Sequence, residues 1–186
     1  MVKEVFTIVE RCMACNACEI ACAVEHSAAK TLFGALLESP RSQPRVRVEN
    51  AVAFSYPSRC LHCQDAPCIL ACPTGAMQHH AVTDSVFVDE DRCIGCWMCV
   101  MLCPFGAVTA DSAYKTALKC DRCPDRVEAG EVPACVEACP TQALIFVTPD
   151  EMAARQREPV VQRAATAVAA AQVQSNVQLW RSLKGL

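Results

Sequence analysis

Cysteine is the residue type whose number and spacing could support chemistry in this chain. All 16 cysteines fall into four blocks of four, and none lies outside a block. The blocks are, in order, Cys12, Cys15, Cys18 and Cys22; Cys60, Cys63, Cys68 and Cys72; Cys93, Cys96, Cys99 and Cys103; and Cys120, Cys123, Cys135 and Cys139. Thiolates this closely spaced can surround a single metal centre, so the pattern indicates metal ligation.

Blocks one and three share the compact spacing C-x2-C-x2-C-x3-C, which is typical of ligands for [4Fe–4S] cubanes. In that pattern the first three thiolates hold one cluster and the fourth reaches to a second. Blocks two, three and four end in Cys-Pro followed two residues later by Gly-Ala or Gln-Ala, and this repetition indicates duplicated units. The sequence therefore predicts four [4Fe–4S] clusters and a role in carrying electrons.

Two other uses of cysteine compete with this interpretation. A disulfide scaffold is disfavoured because the cysteines recur at i, i+3 and i+6 and the sequence predicts a reducing compartment. Zinc is a real alternative for block four, where paired cysteines could form a tetrahedral Zn–S4 site. The compact blocks argue against zinc at all four sites, so a zinc-binding interaction module stays open only as a minor alternative.

Composition limits what else can hold the chain together. The 186 residues are 53% hydrophobic but only 5% aromatic, so a large apolar core is not expected. Buried clusters should replace part of that core, and the metal-free chain should fold poorly. The formal charge of -3 becomes about eight units more negative with four anionic clusters bound. Affinity for nucleic acid or anionic lipid is therefore not expected.

The sequence also bears on location. The first ten residues contain no apolar run long enough for a signal peptide and no twin arginine. An uncharged apolar stretch of about 18 residues is missing as well, so no membrane span is expected. These features predict a cytoplasmic protein.

Periodicity and turn residues predict short elements around the blocks. A helix is expected from residue 17 to 29, and a loop fills the long gap of block four. Thr148, followed by proline and two acids, should begin a helix that is interrupted near Pro159 and ends near Leu183. Strands are expected over residues 5–9, 45–56, 76–78, 86–88 and 143–147.

With four such blocks in this order, the sequence resembles the four-cluster iron–sulfur subunits of the dimethyl sulfoxide reductase beta-subunit type. These include the ferredoxin-like subunits of formate dehydrogenase, carbon monoxide dehydrogenase and tungsten aldehyde oxidoreductase. The resemblance implies an α+β fold with two ferredoxin-like modules, each for two clusters, and a C-terminal helical extension. Residues 1–55 and 104–148 would form one module, residues 56–103 the inserted module, and residues 149–186 the extension.

The resemblance also implies four ligand sets in which the last cysteine of each block is exchanged. The sets are Cys12, Cys15, Cys18 with Cys139; Cys120, Cys123, Cys135 with Cys22; Cys60, Cys63, Cys68 with Cys103; and Cys93, Cys96, Cys99 with Cys72. Some relatives carry tryptophan in place of the second cysteine of block three and hold a [3Fe–4S] centre. Here that position is Cys96, so four complete cubanes are expected.

By this resemblance the chain relays electrons between a catalytic oxidoreductase subunit and another redox partner, and has no catalytic residues of its own. The catalytic subunit would be a molybdenum or tungsten enzyme such as aldehyde oxidoreductase or formate dehydrogenase, or carbon monoxide dehydrogenase, acting in anaerobic metabolism. A flavin- or quinone-linked subunit is a further candidate partner. The C-terminal helix could pack back across the ferredoxin modules, dock on another subunit or support self-association. A freely diffusing polyferredoxin is the alternative.

Charged residues beside the blocks are candidates for tuning the clusters. Lys115, Lys119, Arg122 and Arg92 could raise reduction potentials, or could be ordinary solvated surface charges. The four histidines, His26, His62, His79 and His80, have no ligand spacing, and surface or packing roles are favoured over a role in tuning cluster potentials.

Overall fold

Short strands pair two by two in the part of the chain that carries the cysteines. The computed structural model describes residues 2–111 and 113–183. Its strands are β1 (Glu4–Thr7), β2 (Arg47–Asn50), β3 (Ser55–Ser58), β4 (Met77–His79), β5 (Val86–Val88), β6 (Val108–Asp111), β7 (Thr116–Lys119) and β8 (Leu144–Val147). They form the pairs β1–β8, β2–β3, β4–β5 and β6–β7, of which the last three are antiparallel. Two-stranded sheets this short are marginal alone, so they depend on what packs against them.

The helices of the cysteine-bearing region are equally short. They are α1 (Ala17–Glu25), α2 (Leu32–Leu37), α3 (Pro67–Leu70), α4 (Met98–Leu102), α5 (Pro124–Glu128) and α6 (Ala134–Glu137). Helices α1 and α6 contact each other, as do α3 and α4, although each pair comes from two different cysteine blocks. This mixture of small strands and helices agrees with the predicted α+β class.

Two separate cores organise the compact unit formed by Val2–Phe146. The first contains residues from blocks two and three and the hairpins around them: Ala66, Cys68, Met77, Val86, Cys99, Val108 and Ala117. The second contains residues from blocks one and four with strands β1 and β8: Val5, Cys18, Cys22, Val46, Cys135 and Leu144. Cysteines are members of both cores, so the candidate metal ligands also take part in the apolar packing.

The chain from Val147 onward forms the other compact unit. Its main element is α7 (Pro149–Leu183), which begins with the predicted cap. The Glu151 amide donates to Thr148 Oγ1 at 3.2 Å and the Thr148 amide donates to a Glu151 carboxylate oxygen at 2.8 Å, a complete capping box. The predicted interruption near Pro159 is wrong, because the helix runs through this proline. Within the described residues, the structure contains no helix with the length and apolar character of a membrane span.

Other sequence predictions hold in part. The hairpin of β4 and β5 is confirmed with Met77 opposite Val88. The single strand predicted over 45–56 is wrong, because β2 turns back into β3 and the Ala51 amide bonds the Phe54 carbonyl at 2.8 Å. The helix predicted over 17–29 ends at Glu25, and the predicted loop of block four contains α5. The sequence analysis missed the hairpin of β6 and β7.

Candidate metal centres

Each compact block folds around left-handed backbone positions at the same two places. In block one, Ala14 and Asn16 have φ of 56° and 57°; in block three, Gly95 and Trp97 have φ of 67° and 63°. These residues lie two and four positions after the first cysteine of their block. Left-handed residues reverse the direction of the chain within one or two positions, which lets successive thiols converge on one point instead of following a helix.

The tails after the last cysteines are also alike. Gly75, Gly106 and Gln142 each lie three positions after a Cys-Pro cysteine and have φ of 64°, 59° and 53°. Each donates its amide to the carbonyl of that cysteine, at 3.3, 3.2 and 3.2 Å. The proline fixes φ and the left-handed residue turns the chain, so these three tails adopt one conformation.

One cavity is bounded by four cysteines from two blocks. Cys93, Cys96 and Cys99 come from block three, and Cys72 comes from the end of block two. The rest of the lining is mostly apolar and includes Met77, Val88, Ile94, Trp97 and Ala117. Four thiols facing one small apolar cavity are a donor set for a tetrathiolate metal centre.

A second cavity repeats this arrangement with the blocks exchanged. Cys60, Cys63 and Cys68 line it together with Cys103 from block three. Its other walls are Leu61, Ala66, Pro67, Val86, Pro104, Phe105, Ala107 and Val108. Blocks two and three therefore each contribute three cysteines to one cavity and one cysteine to the other.

Blocks one and four converge in a corresponding way. Cys18 is close enough to Cys15 and Cys139 for their charges to act on it. Cys135 interacts in the same manner with Cys22, Cys120 and Cys123, three residues from both ends of the cysteine-bearing region. The contact between α1 and α6 brings these distant segments together.

Burial gives several of these thiols unusual pKa values. Burial raises the pKa of Cys123 to about 12, and the charges of Asp121, Cys120 and Cys22 add to the effect. Burial raises the pKa of Cys135 well above its ordinary value, and Cys120, Cys22 and Cys123 raise it further. Four thiolates can share such a site only if a cationic centre compensates their charge, because metal ligation requires the deprotonated form.

Hydrogen bonds directed at sulfur point to the same chemistry. The Arg45 amide donates to Cys22 Sγ at 3.2 Å, and the Ala107 amide donates to Cys103 Sγ at 3.4 Å. At Cys72, burial raises the pKa, but hydrogen bonds from the Met77 amide and the Thr74 hydroxyl outweigh it and the pKa is lowered. Backbone and hydroxyl donors around thiolates stabilise negative charge on sulfur. The residues present therefore fit an iron–sulfur cluster.

A polar network that the sequence analysis missed lies beside block four. His26 Nε2 is 3.2 Å from both carboxylate oxygens of Asp121, which also pairs with Arg45. The Cys123 amide donates to Asp121 at 2.9 Å. Burial favours neutral His26, but the hydrogen bonds to Asp121 and Cys22 prevail and raise its pKa to about 10. His26 therefore does not have the surface or packing role expected from the sequence: it belongs to an ion-pair network, and its Nδ1 lies 3.8 Å from Cys22 Sγ.

The four candidate tuning residues separate into two classes. Lys119 and Arg122 are buried, whereas Lys115 and Arg92 are exposed. Arg59, which the sequence analysis did not single out, is buried with the first two. Its signal in the sequence is weak, since a basic residue before a cysteine is equally typical of a solvated surface.

Comparison with known proteins bears on the identity of these centres. The family model described as "4Fe-4S dicluster domain" matches residues 51–149, and one described as "4Fe-4S binding domain" matches residues 9–25. This polypeptide belongs to the 4Fe-4S dicluster family. Because this family model covers more than half of the 186 residues, the match spans both cavities described above.

Relatives of this chain share most of its length. An "Iron-sulfur protein" of Rhodospirillum rubrum is 40% identical over 161 residues, which is 80% of this chain and 84% of that protein. The B subunit of the anaerobic dimethyl sulfoxide reductase of Escherichia coli is 39% identical over 147 residues, 76% of this chain and 71% of that subunit. The chain is thus an iron–sulfur electron-transfer protein of the dimethyl sulfoxide reductase beta-subunit type.

A third relative is much longer than this chain. "Putative oxidoreductase AegA" of Escherichia coli is 42% identical over 146 residues, which is 75% of this chain but only 21% of AegA. The chain therefore spans about a fifth of that relative.

Proposed function

We propose that this chain holds four [4Fe–4S] clusters and relays electrons between a catalytic oxidoreductase subunit and a second redox partner. The observation that carries this proposal is the pair of cavities, each bounded by four cysteines drawn from two blocks. Each cluster, when bound, would accept and release one electron at a time. All 16 cysteines are used and each iron would have a protein thiolate, so no iron is left for substrate.

The ligand sets follow the exchange implied by the resemblance. The proposed sets are Cys60, Cys63, Cys68 with Cys103; Cys93, Cys96, Cys99 with Cys72; Cys12, Cys15, Cys18 with Cys139; and Cys120, Cys123, Cys135 with Cys22. The cavity linings support the first two sets. The interaction of Cys18 with Cys139 supports the third, and the interactions of Cys135 with Cys22, Cys120 and Cys123 support the fourth.

Two ferredoxin-like modules remain our proposal for the domain organisation. The two cores support it, because one combines blocks two and three and the other combines blocks one and four. Val108 and Ala117 belong to the first core, which favours extending the inserted module from 56–103 through the hairpin of β6 and β7. The outer module then resumes at block four.

The chain's own residues have three tasks in this function. The cysteines hold the clusters, and backbone amides such as that of Ala107 stabilise charge on sulfur. Apolar walls, including Met77 and Val86, keep water from the cavities. These features set how easily a site accepts an electron, because solvent exposure and hydrogen bonds to sulfur tune cluster potentials.

The relatives support an oxidoreductase partner. One of them is named as a subunit of anaerobic dimethyl sulfoxide reductase, and another is a longer putative oxidoreductase in which the matching segment is about a fifth of the protein. We propose a molybdenum- or tungsten-dependent catalytic subunit, such as an aldehyde oxidoreductase or formate dehydrogenase, or carbon monoxide dehydrogenase. A flavin- or quinone-linked subunit would take or supply the electrons at the other end. A freely diffusing polyferredoxin remains the rival.

Self-association through α7 stays a prediction. The helix exposes apolar side chains along its length, at Val160, Val161, Val168, Val177 and Trp180. Comparing the particle mass of the full chain with that of a variant lacking residues 160–186 tests it, and an unchanged mass would argue against self-association.

Anaerobic reconstitution followed by iron and sulfide analysis tests the main proposal. About 16 iron atoms and about 16 sulfides per chain are expected for four cubanes. Zinc without labile sulfide would refute it and favour the zinc module. Alanine variants then test the exchange of ligands. The single variants C22A and C120A should each remove the same electron paramagnetic resonance signal. The single variants C18A and C139A should each remove a second signal, different from the first.

A further inference from the structure

Three cations are buried inside the cysteine-bearing unit. The exposed fractions of Arg59, Arg122 and Lys119 are 8%, 4% and 3%. Each directly precedes a cysteine in the sequence, namely Cys60, Cys123 and Cys120. Basic side chains are almost never fully buried unless a partner compensates their charge, so three of them together require an explanation.

The hydrogen bonds of these cations go to backbone carbonyls. Arg59 donates to the carbonyls of Val5 and Cys60, Lys119 to those of Val86 and Cys120, and Arg122 to that of Thr83. None of the ion pairs within the described residues includes any of the three. In addition, Nε of both arginines is buried without a hydrogen-bond partner in the described part of the chain.

These contacts join the two cores. Arg59, from block two, reaches Val5 of the second core. Lys119 and Arg122, beside block-four cysteines, reach the β4–β5 hairpin through Val86 and Thr83. The three cations, which we call the seam cations, therefore lie where the segments of blocks two and three meet those of blocks one and four.

The negative groups that act on the seam cations are one carboxylate, Glu4, and sulfurs from both sides. Arg122 interacts with Glu4, Cys120 and Cys60, and Lys119 interacts with Cys68 and Cys120. Arg59 acts on Cys135. These cysteines belong to only two of the proposed ligand sets, those completed by Cys103 and by Cys22.

His62 lies among the seam cations but adds no charge to them. The Val86 amide donates to its Nδ1 at 2.9 Å, which requires that nitrogen to be unprotonated. Burial lowers the pKa of His62 well below its ordinary value, and Lys119, Arg122 and Arg59 lower it further. His62 therefore adds no positive charge to that of Arg59, Lys119 and Arg122.

Carbonyl contacts and the single carboxylate of Glu4 do not compensate three desolvated cations. Burying an ion costs several kcal/mol even after relaxation, and an anionic partner is the usual compensation. A tetrathiolate [4Fe–4S] centre carries about two negative charges by ordinary charge counting. Two such centres, one on either side, would supply the missing counter-charge.

We propose that Arg59, Lys119 and Arg122 are the internal counter-ions of the two clusters that face each other across the seam, and that they raise the reduction potentials of those two clusters. This inference rests on the proposed function, because it uses the proposed ligand sets. A fixed positive charge favours the state that holds the additional electron, and burial leaves that charge unscreened by salt. The seam cations thus act through the reduction potentials of these two clusters. Those potentials determine how readily electrons pass between the modules.

Arg122→Gln tests this inference, with Arg92→Gln as the matched control. Both arginines are next to a block cysteine and donate to one carbonyl, Thr83 for Arg122 at 3.1 Å and Thr74 for Arg92 at 3.0 Å. They differ in burial, since Arg92 is exposed. Glutamine keeps an N–H donor and removes the charge. Arg122→Lys keeps the charge and loses the guanidinium shape.

The measurement is an anaerobic redox titration of the reconstituted full chain, followed by electron paramagnetic resonance, with iron content determined on each sample. We expect Arg122→Gln to lower the midpoint potential of one or two clusters, while Arg92→Gln and Arg122→Lys stay near wild type. If Arg122→Gln loses iron and Arg122→Lys retains it, the counter-ion role is also supported.

Two results would overturn the inference. One is a fully loaded Arg122→Gln protein with unchanged midpoint potentials. The other is equal loss of iron in the Gln and Lys variants, which would show that the guanidinium acts only as a structural hydrogen-bond donor. Failure of the proposed function is distinguishable, because the wild-type protein itself would then lack [4Fe–4S] signals and labile sulfide.

Discussion

His26 Nε2 lies 3.2 Å from each carboxylate oxygen of Asp121, which joins the end of helix α1 to block four. Arg45 pairs with the same carboxylate, and the side chain of Asp121 is only 17% exposed. Three segments that are distant in sequence thus meet at one acidic group. The network fixes α1 relative to block four, and so fixes Cys22 relative to the cysteines that it is proposed to join.

Asp121→Asn should therefore destabilise the loaded protein. Removing the carboxylate leaves Arg45 and the protonated His26 without their anion, at a cost of roughly 2–4 kcal/mol for a largely buried pair. The rate at which denaturant bleaches the visible absorbance of the clusters measures this. Asp125→Asn is the control, since Asp125 is an exposed acid in the first turn of α5. Equal bleaching rates in the two variants would refute the role of the network.

Gly95 and Gly106 provide a matched pair for backbone strain. Both have positive φ, but a Cβ at Gly95 would lie 2.4 Å from the Lys115 carbonyl oxygen, whereas a Cβ at Gly106 would have no atom within 4 Å. Gly106→Ala should cost about 1 kcal/mol for the left-handed conformation. Gly95→Ala should cost clearly more and should reduce iron retention. Iron content after reconstitution and gel filtration distinguishes the two variants, and equal retention would contradict the predicted clash.

The ion pair of Glu25 with Arg126 predicts a pH-dependent difference. Glu25 accepts from Arg126 at 3.2 Å and from Lys30 at 3.1 Å. Burial raises the pKa of Glu25, but these two partners outweigh it and the pKa is lowered. Because the folded pKa is depressed, this stabilisation is present above the ordinary value of 4.5 and is lost as the pH falls through the folded value.

In denaturant at pH 7, the cluster absorbance of Glu25→Gln should accordingly bleach faster than that of wild type. The ratio of the rates should correspond to about 0.5–1 kcal/mol, as expected for a partly exposed ion pair. The ratio of the two bleaching rates should be constant above the ordinary value of 4.5 and should approach one only as the pH falls through the lower pKa of folded Glu25. Glu128→Gln is the control on a nearby exposed acid. A ratio that stays constant across this pH range would show that charge is not the cause.

Removal of iron should unfold the cysteine-bearing unit. Cysteines belong to both hydrophobic cores, and the strands around them are at most four residues long. Without metal, the cysteines no longer link the separate segments of the chain, and the apolar residues are too few to hold the fold. Limited proteolysis before and after chelation under oxidising conditions measures this. Equal protease resistance of the metal-free and loaded proteins would contradict the prediction.

The structural features that could be predicted from the sequence are those encoded by a few neighbouring residues. The cysteine spacing, the β4–β5 hairpin and the capping box at Thr148 each depend on a few consecutive residues. The strand predicted over 45–56 was wrong because its apolar alternation continues through a turn that lacks glycine and proline. Val52 and Phe54, which carried that alternation, are exposed.

Long-range burial explains what sequence could not predict. Arg59 and Lys119 resemble solvated surface residues in sequence, and only the meeting of the two cores buries them. The hairpin of β6 and β7 was missed, although the side chain of Asp111 accepts from the Ala113 amide at 2.8 Å, an Asx-type turn that could have been recognised.

The convergence of Cys18 and Cys139 has a consequence for biosynthesis. Block one leaves the ribosome first, but block four, which carries Cys139, is translated only after the two intervening blocks. Cys72 and Cys103 reach their cavities through neighbouring blocks, so the central sites can close during translation. The thiols of block one therefore stay without their partner from block four for longer, exposed to oxidants and competing metals. We expect the closing of these sites to be the vulnerable step in maturation of the nascent chain.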